Sequence, residues 1–571
     1  MQSLIEEEFL AWGYSYSPIL TSYPIIPAFE KNYSTKIGDF KVQVPIADPT
    51  LLNLPKPRLL LIPHKLSGVR LPHLEGNRTI CLFDQAIRNI DPLQPRALIA
   101  ACIDQIEKII AGWVNESNFE DIAAEFTSYW ESQWVCYLLS DSKTSRLYRF
   151  DRVTLKGKDV TEFIVADSLD QASYWAKKRG RLIDINEGPI ECCQTISVNV
   201  KRPFFIPFNE SWPLESIGGV LKWLNKVDSR AAFSLLDQLR NKAKDRSSFM
   251  VLLSHLTIRV GIRLTLTELG KAALGVNLPK KTKNKSNFKY TLSALAKKHC
   301  VTKFSRFRIE NVTDDYLFTR NNSLFQGLMN KKICLIGAGT IGGYLAQSLV
   351  QNGAGSGRGS LHIYDGDVLK SGNLGRHILG IEYLGEQKSI ALKDFLLSNG
   401  LATKVEAQSN FVEKDIDRKW DLVIDATGEQ GFSLLLSQWY SVLVQSQTNM
   451  ILIHSWVSGY GNQAKAFMND GTGACYACLF NYESDIRKDR YPSFSPENIP
   501  DYSRSFKRTC GESHLPFGSE ASMTAVALAM RLLKQEDSKR LNYLQKSITD
   551  KPRQYPEKIV TPMKSCPVCQ S

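Results

Sequence analysis

The chain has 571 residues, of which 43% are hydrophobic and 23% charged, an ordinary globular composition and a length that suits three or four domains. No run of about 18 or more uncharged apolar residues occurs, so no membrane span is expected. The first ten residues carry Glu6, Glu7 and Glu8 where a secretory signal would be basic, so the cytoplasm is the expected compartment. The net charge of +13 invites a nucleic-acid partner, but ten positive charges from Lys280 to Arg308 stand together without a single Asp or Glu. That concentration reads as a basic linker or one local docking surface, and a nucleic-acid partner is not expected. Twelve cysteines are too sparse for a disulfide scaffold, so closely paired ones point to metal binding or chemistry.

In chain order, residues 1–115 read as a small α+β domain. Leu59-Leu60-Leu61-Ile62 and Ile80-Cys81-Leu82-Phe83 are short apolar runs of strand type. A helical pattern follows from Gln94 to Trp113, with Leu98, Ile99, Cys102, Ile103, Ile106, Ile109 and Ile110 on one face. Residues 116–310 read as an α+β middle domain without a chemical motif, and the Lys-rich stretch 279–289 reads as a linker. Residues 311–571 change to strand, glycine loop and helix, the texture of an α/β sheet.

Lys332 to Ile336 is a short apolar strand that runs into Gly337-Ala338-Gly339-Thr340-Ile341-Gly342 and then a helical pattern. Glycines Gly337, Gly339 and Gly342 let the backbone approach phosphates, and the helix N-terminus offers N–H groups and a positive dipole end. A second strand, Ser360 to Tyr364, ends at Asp365, placed to hydrogen-bond a ribose. To this point an NAD dehydrogenase fits equally well.

The next segment separates the readings. It runs Asp365-Gly366-Asp367, then Asn373-Leu374-Gly375-Arg376-His377, then Lys388. Arg and Lys neutralise phosphate oxygens and Asn donates a hydrogen bond, as a nucleoside triphosphate requires. The segment resembles the ThiF-type adenylation domain shared by ubiquitin-activating and sulfur-carrier-activating enzymes. The resemblance implies ATP as substrate, Asp367 on the ribose, and Asn373, Arg376 and Lys388 on the triphosphate, with His377 where the family usually has Gln. It also implies Mg2+, held in the family by an Asp at the position of Gly428. Here the segment reads Asp425-Ala426-Thr427-Gly428-Glu429, which leaves Asp425 or Glu429 as the substitute, or an inactive site.

Cys475-x-x-Cys478 and Cys566-x-x-Cys569 together offer four thiolates to one tetrahedral Zn2+. With cysteine ligands alone such a centre is closed and structural. Between the two halves lies Cys510, beside Lys507 and Arg508, whose charge favours the nucleophilic thiolate. Its place matches the thioester-forming cysteine in the crossover loop of ubiquitin-activating enzymes. Cys81 follows Pro72-His73 and Gly76-Asn77-Arg78-Thr79-Ile80, which is similar to the ubiquitin-conjugating signature H-P-N…G-x-x-C-L. The asparagine of that triad is missing, and either Asn77 or His73 is a substitute. The bland alternative for Cys81 is a buried strand cysteine. Cys102 and Cys334 read as core residues, Cys192 and Cys193 are poorly placed to share a metal, and Cys136 and Cys300 have no sequence neighbours to act with.

A conjugating-like domain followed by an activating-like domain resembles the fused enzyme of bacterial cyclic-oligonucleotide anti-phage systems (CBASS). The resemblance implies adenylation of a partner's C-terminal carboxylate, a thioester on Cys510, transfer to Cys81, and amide formation with an acceptor amine. It implies a cGAS/DncV-like nucleotidyltransferase as the activated partner, acceptor proteins bearing amines, and a two-fold dimer through the adenylation domain. Arg320, just upstream of that domain, is a further candidate for charge neutralisation in the adenylation step, in its own or the neighbouring protomer's site. Two other readings stay open: a sulfur-carrier adenylyltransferase, and a non-catalytic ATP-binding scaffold.

Overall fold

The computed structural model describes residues 2–20, 24–75, 77–82, 91, 93–115, 126–153, 159–179, 192–207, 212–276, 288–321, 327–445, 449–483, 486–494, 506–509, 512–514, 517–535, 541–550 and 552–569. These fall into two compact units, Met1–Ser173 with Leu182–Asn311, and Tyr174–Arg181 with Val312–Ser571. No helix among the described residues is long and apolar enough to cross a membrane.

The first unit has two hydrophobic centres. In the N-terminal one, four strands (Ser15–Tyr16, Ala28–Thr35, Gly38–Pro45 and Arg58–Leu61) form an antiparallel sheet in sequence order. Phe40, Val42 and Val44 alternate inward along Gly38–Pro45, the period-two pattern of a half-buried strand. The helix Pro95–Asn115 covers this face. It starts on Pro95, a residue suited to the first helical turn, and buries Ile99, Cys102, Ile103, Ile106, Ile109, Ile110 and Trp113. The apolar run at Ile80 departs from the expected strand. Ile80 makes an isolated bridge to Leu74, and Cys81 lies in the loop after it.

The second centre is a closed seven-stranded barrel, ordered Ile258–Leu266, Val301–Asn311, Trp134–Leu138, Asp159–Ala166, Arg146–Val153, Cys192–Asn199 and Ser248–His255. Successive residues of a strand face opposite sides. Cys136, Leu147, Phe163, Cys193, Met250 and Phe307 form one apolar cluster, so Cys136 and Cys193, unremarkable in sequence, share the barrel core. The other faces of Cys192–Asn199, Ser248–His255 and Ile258–Leu266 pack on the helices Ile217–Val227 and Ser229–Lys242.

The basic stretch is not a linker throughout. Lys280, Lys281, Lys283 and Lys285 lie outside the described residues. Phe288–Leu295 is a helix, and Val301–Asn311 is a barrel strand paired with Ile258–Leu266 and Trp134–Leu138. Arg306 is buried on it, donating to the carbonyls of Glu131 (3.1 Å) and Leu214 (2.7 Å). Paired main-chain groups and a buried, carbonyl-bound arginine explain how so basic a segment folds.

The second unit is built on a seven-stranded sheet. Its order is Val405–Gln408, Ser360–Tyr364, Lys332–Ile336, Leu422–Asp425, Ile451–Ser458, Gln463–Asn469 and Tyr543–Ser547. The first five strands run parallel, and Gln463–Asn469 is antiparallel to both of its neighbours, Ile451–Ser458 and Tyr543–Ser547. Lys332–Ile336 has buried neighbours on both sides, which accounts for its unbroken apolar run. The helices Thr340–Gln351 and Ser519–Leu533 pack against each other and contribute to the main core.

Candidate nucleotide-binding site and cysteine centres

At the C-terminal ends of the parallel strands lies an open cleft of about 400 Å³, bordered by Gly337, Gly339, Asp365, Asp367, Lys388, Thr427 and Glu429, with Phe411 and Phe432 as apolar walls. This is where open α/β sheets bind ligands. The three loop glycines serve different ends. Gly337 has φ +91°, in the left-handed region, and a Cβ there would meet the main chain of Ala426 and Thr427 at 2.9 Å. A Cβ on Gly342 would lie 1.8 Å from the Gly337 carbonyl oxygen, so this glycine is required for strand and helix to close on each other. Nothing lies within 4 Å of a Cβ on Gly339, which faces open space and borders the cleft.

Asp365 is spent on the loop itself. One carboxylate oxygen accepts the Ala338 N–H (2.6 Å) and the other the Asp367 N–H (2.8 Å). Asp367 is the acid that faces outward, and Lys388 Nζ reaches it at 2.9 Å. Lys388 begins the helix Lys388–Ser398, so its ammonium and that helix N-terminus lie together. Asn373 and Arg376 stand outside the cleft lining. The Asn373 carboxamide oxygen accepts the Lys370 N–H (2.9 Å), and the Arg376 guanidinium lies 4.3 Å over the Phe517 ring.

His377 links this segment to the glycine loop. Nδ1 accepts the Leu379 N–H (3.1 Å), so the neutral ring carries its proton on Nε2 and donates it to the Ala338 carbonyl (2.9 Å). A glutamine amide offers the same acceptor and donor, which explains why His can stand where relatives have Gln. Burial, helped by the Lys388 charge, holds the imidazole below its ordinary value against the pull of the Ala338 carbonyl. A histidine with a lowered folded value gives stability that is full above about pH 6.5 and is lost as pH falls toward the folded value. His377→Gln is therefore expected to remove part of the acid sensitivity, up to about 1.4 kcal/mol per pH unit for one proton. Melting curves of both proteins between pH 7.5 and 5 (buffer settings, roughly the imidazole range) check this, and parallel curves refute it.

Asp425 is fully buried and does not border the cleft. Its carboxylate accepts from the Thr427 N–H (3.0 Å), Thr427 Oγ1 (2.7 Å), Ser433 Oγ and His454 Nδ1 (2.9 Å). Burial raises its pKa, but the hydrogen bonds from His454, Ser433 and Thr427 outweigh this and hold the carboxyl below the usual range. Of the two acids expected to substitute for the Asp missing at Gly428, Glu429 alone borders the cleft. Sequence reading missed Asn410, Phe411 and Phe432, which border the cleft without belonging to a motif.

The thiols of Cys475, Cys478, Cys566 and Cys569 all lie within 4.8 Å of one another. Cys475 to Cys566 and Cys478 to Cys569 are 3.5 Å, and Cys475 to Cys478 is 4.0 Å. Four Zn–S bonds of about 2.3 Å in a tetrahedron put sulfurs about 3.8 Å apart, so the donor set fits Zn2+. Tyr476, Leu479, Phe480, Tyr543 and Val560 pack with Cys475, Cys478 and Cys566, which are buried, while Cys569 closes the set from the exposed side.

Cys81 is half-buried, and its N–H donates to the His73 carbonyl (2.8 Å). His73 adopts φ +59°, and its own N–H donates to Tyr129 Oη (2.7 Å), while Trp113 Nε1 holds the Pro72 carbonyl (2.8 Å). The loop around Cys81 is thus fastened from the long helix and from Tyr129. Asn77 is exposed, and its carboxamide oxygen accepts the Thr79 N–H (3.0 Å), closing a local turn. Cys510 lies outside the described residues. The positions around it that are described are fixed at their ends: Ser493 Oγ donates to Gln463 Oε1 (2.7 Å), and Phe517 fits against Gly461.

Residues 317–567 match the model of the ThiF family, and residues 26–138 match that of Prokaryotic E2 family B. The chain is 26% identical over 564 residues to an Escherichia coli protein named ATP-dependent ubiquitin transferase-like protein Cap2, covering 95% of this chain and 93% of that one. A Vibrio cholerae protein of the same name is 28% identical over 524 residues, covering 88% of this chain and 86% of that one. The solved structure of Escherichia coli MccB is 17% identical, with a TM-score of 0.33, covering 52% of this chain and 83% of that one.

Proposed function

We propose that this chain, which joins a prokaryotic E2-like domain to a ThiF-family domain, is an ATP-dependent transferase that activates the C-terminal carboxylate of a partner protein and conjugates it to an amine. The observation that carries the reading is the cleft bordered by the open Gly339, Lys388 and Asp367. A partner carboxylate oxygen attacks the α-phosphate of ATP and pyrophosphate leaves. Lys388 and the loop amides neutralise and orient the phosphates from the cleft wall, Arg376 and Asn373 join them from outside that lining as the ThiF resemblance implies, Asp367 takes the ribose, and Phe411 and Phe432 give apolar faces for the base. Glu429, which borders the cleft, is the carboxylate that would hold Mg2+, and the ion would supply charge neutralisation on the phosphates. Cys475, Cys478, Cys566 and Cys569 hold a structural Zn2+.

The Cys510 thiolate then attacks the acyl carbon and AMP leaves. Cys81 takes the acyl group by thioester exchange, and an acceptor amine displaces it to give an amide. In this reading residues 1–115 are the conjugating-like domain, 116–310 a middle domain and 311–571 the adenylation domain, dimeric as in related enzymes. The partner is a cGAS/DncV-like nucleotidyltransferase presenting its C-terminal tail in the cytoplasm.

Exchange of labelled pyrophosphate into ATP tests the first step. It is expected only when the intact nucleotidyltransferase is added, not a tail-truncated form, and to fall by about a hundredfold or more in Lys388→Ala. ATP binding without exchange for any tail sinks the enzymatic reading and leaves a nucleotide-binding scaffold.

A further inference from the structure

Asp425 ends its strand one residue before the turn that carries Glu429 to the cleft, and it pairs in register with His454 on the next parallel strand. Both side chains are 1% exposed. A carboxylate can only accept, so His454 Nδ1 donates to it. Ser433 and Ser437, one turn apart on the helix Gln430–Gln445, close the pair from above, Ser433 on Asp425 and Ser437 on His454 Nε2 (3.4 Å). The other Asp425 oxygen binds the N–H and hydroxyl of Thr427, and that hydroxyl accepts the Glu429 N–H (3.1 Å). An unbroken line of hydrogen bonds thus runs from His454 to the main chain of Glu429. Between them Gly428 sits at φ +70°, the left-handed turn that aims Glu429 at the cleft.

An apolar pair at 425 and 454 would fill the same core without the cost of burying polar groups. It would not hold Thr427, and the turn would lose its fixed direction. We propose that His454, acting through Asp425 and Thr427, is a positioning residue that sets the Glu429 carboxylate for a nucleotide-bound divalent cation. The proposal rests on the reading of the cleft as the ATP site. It assigns the two acids of this segment separate work: Glu429 meets the cation, and Asp425 orients the turn.

ATP affinity of the full-length protein, with Mg2+ and with EDTA, tests it. The wild type is expected to bind Mg-ATP about tenfold more tightly than metal-free ATP, and His454→Leu to keep metal-free binding within about twofold while losing most of that gain. His454→Asn retains a donor toward Asp425 and is expected to keep most of it. Glu429→Gln is expected to lose the gain, and His454→Leu to add nothing further on that background. Equal weakening of both affinities in His454→Leu, or an Asn variant no better than the Leu variant, overturns the proposal as a merely structural role. Zinc content and melting report folding, and if His454→Leu does not fold, Ser433→Ala carries the same comparison. A wild type that binds no ATP overturns the reading of the cleft and the proposal with it. A wild type whose Mg2+ gain survives Glu429→Gln overturns the proposal alone.

Discussion

Cys510→Ala is expected to abolish every covalent adduct between this chain and its activated partner, while Cys81→Ala traps one on Cys510. The two effects follow from the order of the steps. An acyl-adenylate is released only to a nucleophile within reach, and a thioester needs a thiolate, for which a methyl group is no substitute. The basic neighbours Lys507 and Arg508 favour that thiolate in sequence. In the proposed relay Cys81 comes second, because its loop, held by the His73 carbonyl and by Tyr129, belongs to the E2-like part of the chain. Loss of Cys81 removes the exit but not the entry, so the intermediate accumulates upstream. Intact-mass spectrometry with Mg-ATP and the nucleotidyltransferase reads this directly. Wild type and Cys81→Ala show a partner-sized adduct removed by thiol reductant, and Cys510→Ala shows none. An adenylate that forms without a thioester on either cysteine sinks the relay and puts a sulfur-carrier-type adenylyltransferase in its place.

The parts of this molecule legible in sequence are those whose chemistry acts over a fixed local spacing. The strand, glycine loop and helix of Lys332–Gln351 are contiguous, and the two Cys-x-x-Cys pairs announce a shared centre although 87 residues separate Cys478 from Cys566. The long helix was legible because its apolar face repeats at the helical period. What could not be read depends on partners remote in sequence. Cys136 and Cys193 share a core only because the barrel closes, and the charges of Val301–Asn311 mask a strand whose Arg306 is bound by distant carbonyls. Motif spacing brought out Asp365 as a ribose acceptor, but it carries no information on which donors are nearer, and the loop amides are nearer. His454 carries no motif at all. Its meaning appears only when the parallel register sets it opposite Asp425.

The glycine loop yields the second large effect, because its glycines separate folding from binding. Gly342→Ala places a Cβ 1.8 Å from the Gly337 carbonyl oxygen, and the obstacle is main chain, which has no rotamer to yield. The strand and helix must part, at a cost of about 2 to 4 kcal/mol or more, so this variant is expected to melt earlier and to lose ATP binding as a consequence. Gly339→Ala is the contrast. Its φ is −71°, which alanine adopts freely, and nothing lies within 4 Å of the added methyl. Stability is expected to stay within about 0.5 kcal/mol of wild type, yet ATP affinity to fall about tenfold or more, since the methyl occupies the approach of the phosphates to the loop amides. Melting temperature and ATP affinity, measured side by side on both variants, decide the matter. A Gly339→Ala protein that binds ATP as the wild type does places the phosphates elsewhere in the cleft. One that binds weakly while melting normally locates them at the loop, because no protein contact is available to account for the loss.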